Sequence, residues 1–168
     1  MRRREFIALF AGSAAETLGK AQGQVPGRTY RLGILVQASR KTAHWVAFFD
    51  EMRRNGFIEG VNLSVFDRFN APAEGADKSA AEVVAARPDV VLTAGALTKL
   101  VQRLTQTIPI LTVSDDLLAE GVVASLSRPG GNTTGIRFSP PSWTASARKS
   151  YLRQYLVCSV LHSWPTLQ

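Results

Sequence analysis

Several kinds of chemistry are short of residues in this chain. Among 168 residues there is one cysteine, Cys158, and there are two histidines, His44 and His162. A single thiol excludes an intrachain disulfide and a cysteine-rich metal site. The two histidines stand far apart, without metal-ligand spacing, so no metal site is expected. No Gly-Lys-Ser/Thr closes a phosphate loop and no G-x-G-x-x-G opens a helix, so neither common nucleotide fingerprint is present. There is no G-x-S-x-G elbow, and Ser39 has no spaced acid and histidine partners, so no nucleophilic enzyme and no cofactor are expected. Acid is missing from the C-terminal stretch, where residues 137–168 carry four Lys/Arg and no Asp or Glu. Residues 1–28 carry five Lys/Arg against two Glu, while residues 29–136 hold eleven of each sign. The net charge of +7 therefore belongs to the ends, and the basic field that a nucleic-acid partner needs is absent from the middle.

The chain length suits one domain with a sizeable core. Residues 1–28 read as a signal peptide or basic N-terminal tail. Arg2-Arg3-Arg4 precede an apolar run from Phe6 to Ala15, too short to span a bilayer, and Gly19-Lys20-Ala21 offers a small-x-small cleavage site. Arg3-Arg4-Glu5-Phe6 resembles the twin-arginine pattern, which predicts an exported, periplasmic protein. Residues 29–138 read as an α/β ligand-binding lobe, and 139–168 as a linker with an atypical C-terminal segment. Within the lobe, strands are expected at 29–36, 61–69, 89–93, 108–113 and 133–138. Helices are expected at 43–55, with Val46, Phe49 and Met52 at helical spacing and Trp45 and Phe48 broadening the apolar face, at 77–86, and at 97–107. A further helix after Asp116 would carry a stripe of Leu118, Val122 and Leu126, and 144–156 suits another. Alternation of short apolar strands with helices of this length predicts a doubly wound, Rossmann-like parallel sheet.

Two loops carry the candidate site, because open α/β sheets bind ligands outside the carboxyl ends of their strands. In Thr93-Ala94-Gly95-Ala96-Leu97-Thr98, a glycine allows close approach and a helix start offers free N–H groups to an anion. Ser114-Asp115-Asp116 follows the next strand. Its carboxylates are open to four roles: catalytic pair, metal site, ammonium partner or helix cap. Asn132-Thr133-Thr134 fits a glycosylation acceptor, but a turn leading into a strand is the favoured reading.

One stretch resembles a family. Asp116, Gly121, Ser125-Leu126-Ser127-Arg128-Pro129-Gly130-Gly131-Asn132 and Gly135 are similar in order and spacing to a segment of ABC-transporter substrate-binding proteins of the tryptophan/tyrosine type, which are type I periplasmic binding proteins. Gly56-Phe57-Ile58-Glu59-Gly60-Val61-Asn62, Arg87-Pro88-Asp89-Val90-Val91 and Thr107-Ile108-Pro109-Ile110 resemble further pieces of that family, in the same order. Leu117 departs from it, standing where the family has proline. The resemblance covers residues 30–141 and implies one lobe of a two-lobed solute-binding protein. It implies a small ligand such as an amino acid, held by Ser39, Gly95, Ala96, Leu97, Thr98, Ser114, Asp115 and Asp116, with Asp116 receiving an ammonium. An ABC permease at the membrane is the implied partner. A lone, C-terminally truncated lobe would bind weakly, with an open cleft face prone to self-association. An α/β nucleotide-binding or enzymatic domain of another type stands as the alternative.

Overall fold

In the computed structural model, residues 27–114, 116–122, 131–137 and 157–163 are described. Five parallel strands form one sheet: β1 (Tyr30–Leu35), β2 (Leu63–Arg68), β3 (Val90–Ala94), β4 (Ile110–Ser114) and β5 (Thr133–Arg137). Their order is β2-β1-β3-β4-β5, the doubly wound arrangement that the alternating pattern predicts. Helices α1 (Ala43–Arg54), α2 (Ala76–Ala85) and α3 (Leu97–Leu104) follow the first three strands in turn, and α4 (Val157–Ser163) follows β5. The sheet is buried on both faces, as its continuous Ile/Leu/Val runs require.

Successive residues of each strand feed two separate cores. Leu32 and Ile34 of β1, Leu92 of β3 and Leu111 of β4 meet Trp45, Phe48 and Met52 of α1 on one face. Leu35, Val91 and Ile110 meet Ala76, Ala80 and Val83 of α2 and Val101 of α3 on the other. The C-terminal segment adds to the first face, where Val157 and Val160 of α4 are buried in the same cluster as α1.

The structure moves several expected boundaries. In α1 the inward residues are Trp45, Ala47, Phe48 and Met52, and Val46 is 48% exposed. The spacing i, i+3, i+7 of Trp45, Phe48 and Met52 buries the larger side chains and turns the stripe away from Val46. β2 begins at Leu63 and not at Val61, which is 73% exposed. The carbonyl of Ile58 accepts N–H groups from Val61, Asn62 and Leu63, closing a turn before the strand can start. Helix α3 stops at Leu104 because Thr105 is extended and its hydroxyl accepts the N–H groups of Thr107 and Ile108. The helix expected after Asp116 is a sequence of turns across 117–121, closed by Gly121 at positive φ. There Leu117 is buried and Leu118 exposed, because Leu117 lies over the bare backbone of Gly135. A Cβ on Gly135 would come within 2.5 Å of the Leu117 side chain. Residues 123–130 and the helix expected at 144–156 lie outside the described residues, as do residues 1–26 with their export signal.

Candidate functional site

A cavity of about 290 Å³ opens at the carboxyl ends of β1, β3 and β4. The strand order reverses direction between β1 and β3, and their following loops part there, which is the crevice where doubly wound sheets bind ligands. Val36, Gln37 and Ala38 line the cavity from the end of β1, and His44 and Trp45 from the first turn of α1. Leu92 to Leu97 contribute the β3–α3 turn, and Val113 the end of β4.

The β3–α3 turn is built for close approach. Gly95 takes φ +54°, a conformation other residues adopt only with strain, and its N–H donates to the Val113 carbonyl at 3.2 Å. The Thr98 N–H turns back to the Gly95 carbonyl, and no side chain caps α3. The N–H groups of Ala96 and Leu97 are the donors of this turn without a backbone partner among the described residues. Thr93, on the same wall, has a buried hydroxyl with no hydrogen-bond partner among the described residues.

The wall from β1 to α1 is held by Arg40. Its guanidinium donates to Asp67 at 2.7 Å and to Glu59, and stands 4.2 Å over the Phe49 ring. That arrangement ties the loop between Gln37 and Thr42 to β2 and α1. His44, half-buried at the start of α1, shares a 3.2 Å hydrogen bond with the Thr42 hydroxyl through Nε2. Desolvation by burial holds its pKa below the ordinary histidine value of 6.5.

The residues expected to form the site fall into two groups. Gly95, Ala96 and Leu97 line the cavity. Thr98 is buried beside them but engages Thr112 through a 2.6 Å hydroxyl–hydroxyl bond. Ser39 neighbours the lining loop, and its Oγ accepts the Lys41 N–H at 3.3 Å. Ser114 is buried, and its Oγ accepts the Asp116 N–H at 3.1 Å. Asp116 Oδ1 accepts the N–H groups of Leu118 and Ala119, holding the turn that stands where a helix was expected. Neither Ser114 nor Asp116 is on the cavity wall, and Asp115 lies outside the described residues. Sequence reasoning passed over Val36, Gln37 and His44. The available signal was their position after the first strand, whose loop adjoins the β3 loop once the order is 2-1-3. Among the described residues no group of three His, Cys, Asp or Glu could hold a metal ion.

The chain shares its fold with substrate-binding proteins. A conserved domain protein from Vibrio cholerae O1 biovar El Tor superposes with TM-score 0.62 at 19% identity, across 81% of this chain and 55% of that one. A ligand-free, open substrate-binding protein with adhesive properties from Clostridium difficile gives 0.60 at 19%, across 77% and 44%. An ABC domain from Streptococcus pneumonia in complex with L-Trp gives 0.58 at 15%, across 80% and 54%. The chain thus spans about half the length of each. No family model and no curated protein sequence matches it, so the likeness is one of fold.

Proposed function

We propose that this chain is a solute-binding lobe that holds a small molecule, an amino acid or similar compound, for uptake by an ABC transporter. The observation that carries the reading is the cavity at the β1/β3 switch point, whose wall joins apolar side chains to N–H groups at the start of α3 that have no backbone partner among the described residues. Small-molecule sites combine these two elements, apolar bulk for affinity and a few fixed polar groups for orientation. The fold shared with substrate-binding proteins supports it, and the L-Trp held by the Streptococcus pneumonia domain suggests a solute of that size. A membrane permease is the partner this role requires, and export through the N-terminal segment supplies the compartment. No helix among the described residues is long and apolar enough to cross a membrane.

Calorimetry of the purified chain against amino acids and nucleotides tests the reading. One lobe leaves the solute open to water on one side. Halving the contacts of a micromolar ligand, which binds with about 8 kcal/mol, leaves a dissociation constant near millimolar. Weak heats with amino acids and none with nucleotides are expected. Tight nucleotide binding without any amino-acid response would overturn the proposal.

A further inference from the structure

Thr42 stands before α1 in the extended conformation of an N-cap, yet its hydroxyl caps no N–H group of the helix. A threonine in that place ordinarily accepts an N–H of the first turn. Here the hydroxyl is engaged elsewhere. It donates to the Ser39 carbonyl at 2.9 Å, and its oxygen meets His44 Nε2 at 3.2 Å. A hydroxyl has a single proton to give, so the Thr42 oxygen accepts from His44, and Nε2 is the nitrogen that carries hydrogen. Desolvation by burial lowers the His44 pKa below its ordinary value, which leaves the ring neutral at pH 7. The first turn of α1 is also the end of a helix dipole that disfavours a cation.

A neutral imidazole protonated at Nε2 has a bare Nδ1, which is a hydrogen-bond acceptor. None of the described hydrogen bonds engages it. The ring lines the cavity together with Trp45, Leu92 and Val113. Gln37, from the neighbouring loop, is exposed, and its amide can donate or accept as it turns. His44 has one role to offer, fixed by the two bonds of Thr42.

We infer that His44 reads the solute: its Nδ1 accepts a hydrogen bond from a neutral N–H or O–H group, so the cavity favours a compound whose apolar ring carries such a donor over an isostere without one. The inference rests on the solute-binding reading and deepens it by naming the feature of the solute that is selected.

Indole-3-acetate and 1-benzothiophene-3-acetate form a matched pair, alike in size and in carboxylate, of which only the first has a ring N–H. Saturation-transfer NMR on the full chain at pH 7 should find the indole tighter by about fivefold, the usual net effect of one neutral hydrogen bond. That ratio should fall to about one in H44F and persist in H44N, whose amide oxygen can stand near the place of Nδ1. A merely structural role for His44 would weaken both probes together and leave the ratio unmoved. Nitrogen NMR of the histidine-labelled chain reads the ring itself, and the signal that H44F removes should show hydrogen on Nε2 and none on Nδ1. Equal binding of the two probes by the parent, a ratio that survives in H44F, or hydrogen on Nδ1 at pH 7 would each overturn the inference and leave the solute-binding reading standing. Should H44F bind neither probe, H44N decides, and silence or a ratio of about one there overturns the inference as well. If neither probe binds the parent, the cavity is not a solute site and both readings fall together.

Discussion

The two faces of the sheet solve the same packing problem with different side chains. Towards α2 and α3 the core is made of small residues, with Ala76, Ala80, Val83 and Val101 lying against Leu35, Val91 and Ile110. At Gly33 there is no room even for a methyl group, since a Cβ would stand 2.9 Å from Val83 Cγ1 and 3.0 Å from Pro88 Cγ. Towards α1 and α4 the core is made of rings. Trp45 meets Phe48 edge-on at 5.5 Å and Phe69 at 5.0 Å, and Tyr30 meets Phe57 at 5.1 Å. Small residues let helices settle close to the sheet. Large rings bury more area each, but edge-to-face geometry gives them an uneven outline. The cavity opens on the ring side, between α1 and the strand ends. Close packing at Gly33 marks one face and the strand-end cavity the other.

The comparison breaks most severely at Phe48, which is fully buried at the centre of the ring face. F48A should cost about 3–5 kcal/mol, since removing the ring leaves a cavity among its edge-on neighbours. Urea unfolding of variant and parent at equal pH reads this as a lower midpoint. A loss under about 1 kcal/mol would mean that the ring face repacks freely.

A smaller effect tests the other face. G33A adds one methyl group where Val83 and Pro88 already touch the backbone, and overpacking of this kind costs about 1–3 kcal/mol. The variant should lose stability while keeping the probe binding of the parent, because the clash lies away from the cavity. Unchanged stability would show that α2 can lift from the sheet, and the contrast between the faces would soften.

The smallest effect belongs to His44. Its pKa in the folded chain is lowered by desolvation, so the unfolded chain binds more protons between that lowered value and 6.5. Stability should therefore rise with pH across that window and be flat above it. The groups around the ring are the Thr42 hydroxyl, the Trp45 ring and an uncharged cavity wall. Arg40, earlier in the loop, is already paired with Asp67 and Glu59. H44Q should remove this slope in denaturation measured at about pH 5 and about pH 8. A slope that survives the substitution would place the titration elsewhere.

Much of this fold is legible in the sequence, and the reason is punctuation. The pieces that resemble substrate-binding proteins turn out to be turn-makers. Asn62 accepts the Ile58 N–H through Oδ1 and donates to the Gly56 carbonyl. Asp89 accepts the backbone N–H of Arg31, pinning β3 to β1. Asn132 donates to the carbonyls of Thr105 and Ile108, setting the entry to β4. Asn62 acts within its own turn, while Asp89 and Asn132 reach segments distant in sequence, yet each is a single polar residue at a strand or turn entry and so is visible in a linear reading. The cavity does not have this property. Gln37, His44, Ala96 and Val113 come from four segments and meet only because the strand order is 2-1-3-4. The face of α1 was readable in part: Trp45 and Phe48 belong to it, but Val46 is apolar too and only the packing leaves it out. Leu117 was readable as a departure from the resembled pattern, but its seat over Gly135 depends on a strand that comes later in the chain.

Helix α4 bears on the history of each molecule as well as on its shape. A ribosome makes β5 before it makes Val157 and Val160, and the interval from Arg137 to Ser163 takes about 1–5 s at ordinary elongation rates. For that time the ring-side cluster that includes Leu111 lacks the two valines of α4. Exposed strand-face leucine and isoleucine are what holding chaperones grip and what neighbouring nascent chains stick to. Helix α4 therefore bears on how long the newborn chain stays a client, and pausing of translation between β5 and α4 should lengthen its stay on chaperones.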